Sequence, residues 1–310
     1  MKAVYLTQKA GPESLITGEL PTPVPQANEV LVRVHATAAT PTEFEWYPTF
    51  NTRVGTPRPF PIVPSHELSG VIAAVGAEVS APLKVGDAVY GLNDWFANGA
   101  LAEYCVAPAS ALAPKPTSLT HTQAAVVPIS ALTAWQALVT RGAVQRGQRV
   151  LIHGGSGGVG VFAVQLARQR GAHVIATASA ANLDFVRSLG ADEVIDYRAT
   201  RFEQAVRDVD FVLDSVGGET LERSWNVLRP GGKLITIAAQ SESASDVRHR
   251  AAFMLVEPNR AQLTKIAGLF DAGKLRAFVE EEYPLTDAIA GYARAKKGGM
   301  RGKVAFRIAG

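Results

Sequence analysis

The stretch HGGSGGVG at residues 153–160 decides the fold of this 310-residue chain. It follows RVLI (149–152), a short apolar run without alternation, which is typical of a strand covered on both faces of a sheet. In VGVFAVQLARQRG (159–171), apolar residues recur at helical spacing and Gly171 ends the pattern. The sequence therefore predicts a glycine-rich turn between a buried strand and a helix.

Three of these glycines have the G-x-G-x-x-G spacing of a dinucleotide-binding turn. The first allows a tight turn, the second lets the backbone approach a pyrophosphate, and the third lets the helix pack closely on the strand. A glycine-rich turn without a ligand is the alternative, but it does not explain why the glycines gather at the carboxyl end of one strand. The predicted coenzyme contacts in this turn are Gly155, Ser156, Gly157, Gly158, Val159 and Gly160.

Strand and helix patterns alternate from about residue 120 to residue 240. This alternation predicts an α/β fold with a doubly wound parallel sheet of the Rossmann type. The predicted strands are 149–153, 173–177, 193–197, 210–216 and 233–239, and the predicted helices between them are 159–171, 182–190, 201–208 and 219–228.

The first 120 residues have a different character, with short β-branched runs between prolines and glycines. Examples are EVLVRVHAT (29–37), LSGVIAAVG (68–76) and LAEYCVAP (101–108), and they predict a compact antiparallel β unit. Near the other end of the chain, KVAFRI (303–308) reads as a strand without an adjacent helix-strand partner. We expect it to return to the amino-terminal β unit.

Cysteine content and charge exclude several classes of protein. Cys105 is the only cysteine, which excludes an intrachain disulfide and a cysteine-rich zinc lobe. The formal net charge is only +3, and the basic residues are scattered apart from RHR (248–250) and ARAKKGGMRGK (293–303). A nucleic-acid reader concentrates its basic residues in a stripe, so we expect no nucleic-acid partner.

The sequence also lacks the patterns of export or membrane insertion. MKAVYLTQKAGPESL (1–15) has no apolar run long enough for a signal peptide. The most apolar segment, AAVVPISALTAWQALV (124–139), is interrupted by Pro128 and is shorter than the ~20 residues of a spanning helix. We expect a cytosolic (cytoplasmic) protein without a membrane partner.

The tip of the second strand predicts which coenzyme binds. An NAD site usually places an Asp or Glu ~20 residues beyond the first glycine, where it holds the ribose hydroxyls. Here Ser179 follows the strand, and the first acid is Asp184, inside the predicted helix. A serine does not repel a 2′-phosphate, and Tyr197 and Arg198 after the third strand would add a ring and a cation. The sequence therefore predicts NADPH rather than NADH, with Ser179, Tyr197 and Arg198 among its contacts.

Several segments, taken together, resemble the medium-chain dehydrogenase/reductase superfamily and its zinc-free quinone oxidoreductase branch. They include HGGSGGVGVFAVQLARQRGAHVIATAS, LGADEVIDYR, DFVLDSVGG, LRPGGKLITI and GKVAFRI. The resemblance implies a discontinuous GroES-like catalytic domain over residues 1–120 and 255–310, and a Rossmann cofactor domain over residues 121–254. It also implies a homodimer formed by edge strands of the cofactor sheets.

Zinc-bearing relatives bind catalytic metal through a Cys, a His in a His-Glu pair and a second Cys. This chain is similar in keeping His66-Glu67, but Thr40 stands at the first Cys position and Ile129 or a neighbour at the other. One imidazole without thiolates does not make a zinc site, so we expect no metal. Where quinone oxidoreductases usually carry Asn-Pro-x-Asp, this chain has Thr40-Pro41-Thr42-Glu43, and Tyr47 stands where an Arg commonly follows.

The resemblance also implies roles for particular residues. Thr133 would face the nicotinamide, while Thr40 and His66 would line a cleft between domains. His66 or Tyr47 would hydrogen-bond the substrate oxygen and supply its proton; the alternatives are a structural histidine and a tyrosine packed in a loop. Loops after the fourth and fifth strands place Ser215, Val216 and Ala238 beside the expected path of the coenzyme.

Without a zinc set, an activated acceptor is favoured, because a conjugated oxygen absorbs the charge that a hydride brings. We therefore predict an NADPH-dependent reductase of quinones or α,β-unsaturated carbonyl compounds. Two alternatives stay open: an alcohol dehydrogenase-like enzyme with an atypical zinc site, and a non-catalytic NADPH-sensing or RNA-binding protein.

Overall fold

The structure is a computed structural model that describes residues 1–80 and 82–308. The chain divides into two compact units. Unit 1 comprises Met1–Ile129, Pro258–Gly298 and the chain from Lys303 onward, and unit 2 comprises Ser130–Glu257 and Gly299–Gly302.

The secondary structure, numbered along the chain, is as follows. The strands are β1 (Lys2–Tyr5), β2 (Ile16–Glu19), β3 (Glu29–Ala38), β4 (Glu67–Val75), β5 (Ala88–Leu92), β6 (Tyr104–Pro108), β7 (Leu112–Pro114), β8 (Arg149–Ile152), β9 (His173–Ala178), β10 (Glu193–Asp196), β11 (Val209–Asp214), β12 (Leu228–Thr236), β13 (Val279–Pro284) and β14 (Lys303–Arg307). The α-helices are α1 (Tyr47–Phe50), α2 (His121–Ala125), α3 (Pro128–Trp135), α4 (Gly158–Gln169), α5 (Leu183–Ser188), α6 (Phe202–Ala205), α7 (Gly218–Ser224), α8 (Val247–Ala252), α9 (Arg260–Asp271) and α10 (Ala288–Lys297), and a π-helix spans Gln136–Arg141.

Unit 2 is built on a parallel five-stranded sheet with the order β10-β9-β8-β11-β12. Leu151, Ile175 and Val212 come from three adjacent strands and pack in one buried cluster with Phe202 and Leu221 of the helices. Burial on both faces explains the near-continuous apolar runs of these strands. This order confirms the predicted doubly wound sheet, because the chain builds outward from β8 on both sides, first to β9 and β10 and then to β11 and β12.

Most boundaries of the unit 2 elements differ from prediction by a few residues, and three examples follow. The helix predicted over 201–208 is a single turn, Phe202–Ala205. The last strand begins at Leu228 rather than at residue 233, because the segment before it already pairs with β11 through Val209. The helix after the glycines begins at Gly158.

Unit 1 centres on β3, which pairs antiparallel with β4, β6 and β14. Its residues alternate between buried and more exposed, and Val30, Val32 and Val34 face the hydrophobic core. The full sheet has the order β13-β14-β3-β4-β5-β7, with β6 off this path, and β1 and β2 form a separate pair. The strand near the carboxyl end thus lies beside a strand of the amino-terminal segment.

A bilayer-crossing helix is not found in the described ranges, where every helix is too short or too polar for that role.

Candidate functional site

The glycine turn, residues 153–160, joins β8 to α4. Gly154 has a φ of +72°, a conformation that favours glycine. A Cβ on Gly160 would lie 2.1 Å from the carbonyl oxygen of Gly154, so glycine is needed where the helix packs on the turn. The close-packing role predicted for the third glycine agrees with this geometry. The residue with a left-handed φ, however, is Gly154 and not Gly155. Gly155 is a glycine for a different reason, because a Cβ there would press on β9.

Gly157 is different, because the fold itself does not demand glycine there. A Cβ on Gly157 would come no closer than 3.5 Å to another protein atom, which is ordinary van der Waals contact. The space beside it is therefore open to a ligand. The first amides of a helix lack intrahelical acceptors, and the 12-residue helix α4 adds the positive end of its dipole. Open space and converging amides at this turn fit a pyrophosphate.

Side chains of neighbouring strands hold the turn in place. The Gly154 amide donates to Thr177 Oγ1 over 3.2 Å, and the Ser215 hydroxyl donates to the His153 carbonyl oxygen over 2.8 Å. The His153 ring is buried, with Nε2 2.9 Å from Ser224 Oγ, and burial lowers the pKa of His153 to about 4. His153 is thus a neutral structural group at neutral pH.

Three residues are predicted to contact the ribose end of the coenzyme, and the structure places them at the ends of two neighbouring strands. Ser179 follows β9 and is half-buried, and its side chain does not cap the turn that it begins. Tyr197 and Arg198 follow β10, whose last residue is paired with Ala178. The Tyr197 ring is about half exposed, and the Arg198 guanidinium lies 5.5 Å from its centroid.

The nearby carboxylates are engaged elsewhere. Asp184 lies in the first turn of α5 and pairs with Arg187 over 2.7 Å. Asp196, at the end of β10, accepts a hydrogen bond from the Arg198 amide over 3.0 Å. No carboxylate therefore occupies the tip of β9, where an NAD-specific site usually has one.

The loops after β11 and β12 lie at the same edge of the sheet as the turn, because all five strands are parallel. Asp214, at the end of β11, is fully buried and accepts hydrogen bonds from Thr236 Oγ1 and from the amides of Val216 and Gly217. Asp214 is therefore a structural group. It orders the loop that carries Val216, whose side chain is exposed.

Two further predicted coenzyme contacts are buried. Ala238, after β12, is 8% exposed, and its amide donates to Thr236 Oγ1 over 3.2 Å. Thr133 lies in α3 and is 3% exposed. The segment after Ala238 forms a 3₁₀ turn, Ala239–Ser241, and then α8, whose N-cap residue Asp246 accepts a hydrogen bond from the Arg248 amide.

The predicted residue Thr40 lies in unit 1 beside two residues of a buried ion pair. Lys303 Nζ donates to Thr40 Oγ1 over 3.0 Å and forms an ion pair with Glu67 Oε1. The other carboxylate oxygen of Glu67 accepts from the Ile129 amide over 2.9 Å. Burial raises the pKa of Glu67, and the Lys303 ammonium opposes that shift. Thr40 itself is only half-buried.

His66 belongs to a second part of this buried group. Its Nδ1 lies 3.5 Å from Glu43 Oε2, and its Nε2 lies 3.3 Å from the Ala97 carbonyl oxygen. Glu43 also accepts from the Ser65 amide over 2.8 Å and from the Tyr292 hydroxyl. The two ring nitrogens differ, because Nε2 is within hydrogen-bond reach of a carbonyl oxygen, whereas the buried Nδ1 makes no hydrogen bond within the described part of the chain. We call Thr40, Glu43, His66, Glu67, Tyr292 and Lys303 the polar cluster.

Tyr47 is not part of the polar cluster. It is the first residue of α1, its side chain is 52% exposed, and its hydroxyl lies near Gly55. The structure thus gives Tyr47 a surface position, whereas the residues of the polar cluster other than Thr40 are buried.

The donor set of the polar cluster does not fit a zinc ion. Glu67 is paired with Lys303, and both nitrogens of His66 have protein neighbours. The thiol of Cys105 lies in β6 next to Asn93, and burial raises its pKa to about 12, whereas a metal binds the thiolate.

A different group of possible metal ligands lies in unit 2. One ligand atom from each of Glu222, Asp246 and His249 lies within 4.8 Å of the others. Arg248 pairs with Asp246 over 2.9 Å, and His249 lies 3.2 Å from Glu222. Because Arg248 already neutralises Asp246 and Glu222 is exposed, we assign no metal to this group.

Comparisons with known proteins agree with this architecture. Residues 26–117 match the model of the alcohol dehydrogenase GroES-like domain, and residues 189–305 match that of the zinc-binding dehydrogenases. A probable zinc-binding oxidoreductase, mitochondrial, of Arthroderma benhamiae is 34% identical over 93% of this chain and 91% of its own length. The chain belongs to the medium-chain dehydrogenase/reductase superfamily.

Two further members of this superfamily indicate the branch. The mitochondrial NAD(P)H oxidoreductase RTN4IP1 of Danio rerio is 31% identical over 91% of this chain and 84% of its own length. The solved quinone oxidoreductase of Coxiella burnetii has a TM-score of 0.91 and 30% identity, and the match covers 100% of this chain and 99% of that one. The chain is thus an oxidoreductase of the quinone oxidoreductase-like branch, with a nicotinamide coenzyme.

The predicted cytosolic location is wrong by these comparisons, since both curated relatives are named as mitochondrial. They point to an organelle. The prediction failed because it considered only apolar segments, which mark export and membrane insertion. Mitochondrial transit segments are amphipathic and basic instead, so a lack of apolar runs does not bear on them.

Sequence reasoning missed four residues that the structure places at the two predicted sites. They are Tyr292 and Lys303 in the polar cluster, and Asn182 and Arg301 beside the glycine turn. The sequence contains one weak signal for Lys303, because it stands at the start of a strand with a buried apolar pattern, where a lysine is out of place unless it is paired.

Proposed function

We propose that this chain is an NADPH-dependent reductase that transfers hydride to quinones or α,β-unsaturated carbonyl compounds without a metal. The observation that supports it most strongly is the glycine turn, which has room at Gly157 and stands at the amino terminus of α4, where helix amides lack intrahelical acceptors. When bound there, a reduced nicotinamide coenzyme supplies the hydride. The residues of the chain then have to bind the coenzyme, orient the substrate beside it and polarise the substrate oxygen.

The residues proposed to contact the coenzyme follow from their positions in the glycine turn and near the carboxyl edge of the parallel sheet. The turn residues Gly155, Ser156, Gly157, Gly158, Val159 and Gly160 would hold the pyrophosphate, while Ser179, Tyr197 and Arg198 would hold the 2′-phosphate. Thr133, Ser215, Val216 and Ala238 would line the rest of its path.

The preference for NADPH has its own test. Ser179→Asp places a carboxylate at the tip of β9, so we expect the ratio of NADPH to NADH affinity to fall at least tenfold. Ser179→Ala removes the hydroxyl without adding charge and should keep most of the preference. Calorimetric titration with both coenzymes measures the ratio. Tighter binding of NADH by the unmodified chain would overturn the preference for NADPH.

Thr40 is proposed to contact the substrate oxygen. Lys303 Nζ donates to Thr40 Oγ1, so the Thr40 proton is left to be donated elsewhere. A hydroxyl that accepts from an ammonium is polarised and becomes a stronger donor. It would stabilise negative charge that develops on a conjugated oxygen.

The proposed roles of His66 and Tyr47 differ from that of Thr40. Because His66 is 2% exposed and lies between Glu43 and the Ala97 carbonyl oxygen, its surroundings favour the structural alternative over proton donation. Tyr47 is exposed, and its part in proton transfer stays a prediction. His66→Gln tests the first point: we expect wild-type NADPH affinity and a small effect on turnover, with the main effect on stability.

The test of the proposed reaction is NADPH consumption with a panel of quinones and enones, before and after treatment with a chelator. We expect turnover that does not change on chelation. Thr40→Val should lower kcat about tenfold or more with unchanged NADPH affinity, while Thr40→Ser keeps the hydroxyl and most of the rate. Coenzyme binding without turnover across the panel would favour the sensing alternative, and zinc-dependent alcohol oxidation would favour the dehydrogenase alternative.

A homodimer is a further part of the proposal. β12 is an edge strand of the cofactor sheet: it pairs with β11 on one side and is bridged to Phe253 at Thr236 on the other, and the rest of this edge is where a second copy would bind. Sedimentation should give twice the mass of the chain, and a monomer at micromolar concentration would contradict the proposed dimer.

We also propose that the chain is divided by function into a catalytic part, residues 1–120 and 255–310, and a cofactor part, residues 121–254.

A further inference from the structure

Asn182 has a buried amide that is bonded on both of its ends. Its Nδ2 donates to Ser156 Oγ over 3.1 Å and to the Gly299 carbonyl oxygen over 3.3 Å. Its Oδ1 accepts from Arg301 Nε over 2.9 Å. Because a guanidinium can only donate, Arg301 fixes which end of the amide faces Ser156. The side chain of Asn182 is 3% exposed and therefore has one orientation available.

The segment Gly299–Gly302 forms hydrogen bonds both to the residue before Asn182 and to Ser156. Arg301 Nη2 donates to the Ala181 carbonyl oxygen over 2.9 Å, and the guanidinium lies 5.4 Å from the centroid of the Phe185 ring. The Gly302 amide donates to the Ser156 carbonyl oxygen over 2.9 Å. A segment close to the carboxyl end thus connects the tip of β9 to the glycine turn.

These contacts determine what Ser156 can do. A serine hydroxyl has one proton and two acceptor positions. Because Asn182 donates to Ser156 Oγ, that bond does not use the Ser156 proton. The proton is free for an acceptor at the amino terminus of α4, where the amides favour an anion. An oriented hydroxyl loses less freedom on binding than a rotating one, which raises affinity.

We propose that Asn182, held by Arg301 and Gly299, is a positioning residue of the coenzyme site that aims the Ser156 hydroxyl at the pyrophosphate. This inference rests on the proposed function, because it requires that the turn binds a dinucleotide. Its consequence concerns specificity. The pyrophosphate is common to NADPH and NADH, so loss of the positioning contact must weaken both coenzymes by the same factor.

A direct contact of Arg301 with the 2′-phosphate makes the opposite prediction. In that case removal of Arg301 would weaken NADPH and leave NADH unchanged. The two coenzymes therefore separate positioning of the turn from recognition of the phosphate.

The test measures dissociation constants of both coenzymes for three variants by calorimetry, with thermal unfolding as a check on folding. Asn182→Asp keeps the shape and the acceptor for Arg301 but loses both donors. We expect it and Ser156→Ala each to weaken NADPH and NADH about tenfold, because a hydrogen bond to a charged group is lost. The double variant should be no weaker than Ser156→Ala alone, since the two residues act as one unit.

Arg301→Ala keeps the inference testable if Asn182→Asp fails to fold, because Arg301 is exposed. We expect a smaller loss, about threefold, that is equal for both coenzymes. Arg187→Ala removes another arginine of the same region and should change neither affinity. Unchanged affinities, additive effects in the double variant, or a loss confined to NADPH would each overturn the inference. If the unmodified chain binds neither coenzyme, it is the proposed function that fails.

Discussion

The glycine turn and the polar cluster differ in how far along the chain their parts lie. The turn is eight consecutive residues whose backbone shape requires glycine at set positions. The polar cluster joins residues that are far apart: Lys303 lies 236 residues from Glu67, and Tyr292 lies 249 residues from Glu43. A local backbone requirement leaves a pattern in the sequence, whereas a long-range pair leaves only isolated polar residues.

The two regions also differ in how they are stabilised. The turn is held by backbone amides and hydroxyls, and its one buried ring, His153, is neutral. The cluster buries a carboxyl group beside an ammonium group: burial raises the pKa of Glu67, and Lys303 and the Ile129 amide oppose that shift. The following predictions test this contrast.

The largest expected effect is on the polar cluster. Lys303→Met leaves the Glu67 carboxylate buried without its cation, so we expect the free energy of unfolding to fall by about 3–5 kcal/mol. The double variant Lys303→Met, Glu67→Gln removes both charges and should recover much of that loss. Chemical denaturation measures both. Lys265→Met, on the exposed face of α9, is the control and should stay within about 0.5 kcal/mol of wild type. A loss of under about 1 kcal/mol for Lys303→Met would show that the pair does not support the fold.

The next effect concerns acid and the glycine turn. His153 has a pKa of about 4 in the fold and an ordinary value of 6.5, so the unfolded chain binds the proton more tightly. Stability contributed by the neutral ring is therefore present above pH 6.5 and is lost as the pH falls toward 4. The loss should reach about 3 kcal/mol. His153→Asn should flatten the dependence of unfolding free energy on pH in this window, while parallel curves for variant and wild type would contradict the assignment of a neutral ring.

The smallest expected effect separates ligand binding from folding within the turn. Gly157 precedes the first residue of α4, where Asp is a favourable cap, and its Cβ has room. Gly157→Asp should keep or raise the melting temperature and weaken coenzyme binding about 100-fold, because a carboxylate faces the pyrophosphate. Gly160→Ala is the counterpart: its Cβ would meet the Gly154 carbonyl, so it should lower stability first. Wild-type affinity in Gly157→Asp would place the coenzyme elsewhere.

Much of the fold could be predicted from local patterns. The three central strands of unit 2, β8, β9 and β11, are short apolar runs that are almost wholly buried, and β3 shows the alternation of a strand with one buried face. The glycine spacing identified the turn because it reflects a local requirement: a Cβ at Gly160 would collide with the backbone of the turn. Errors arose at element ends, where Leu228 already pairs with β11 and the sequence gives no sign of it.

The parts of the sites that escaped prediction depend on contacts between distant segments. Asn182 reads as a turn residue until Arg301, 119 residues away, is seen to orient it. Tyr292 reads as an ordinary helix residue until its hydroxyl is found on Glu43. His66 stood out because of its resemblance to a metal ligand, yet its neighbours are a carboxylate and a carbonyl group. Spacing alone does not distinguish these cases.

The most direct test of the account is calorimetric titration of the unmodified chain with NADPH and, separately, with NADH. The account predicts one site per chain, tighter binding of NADPH, and loss of both coenzymes' affinity in Gly157→Asp. Absence of binding of either coenzyme at saturating concentration would contradict the assignment of the glycine turn and the reductase activity that depends on it.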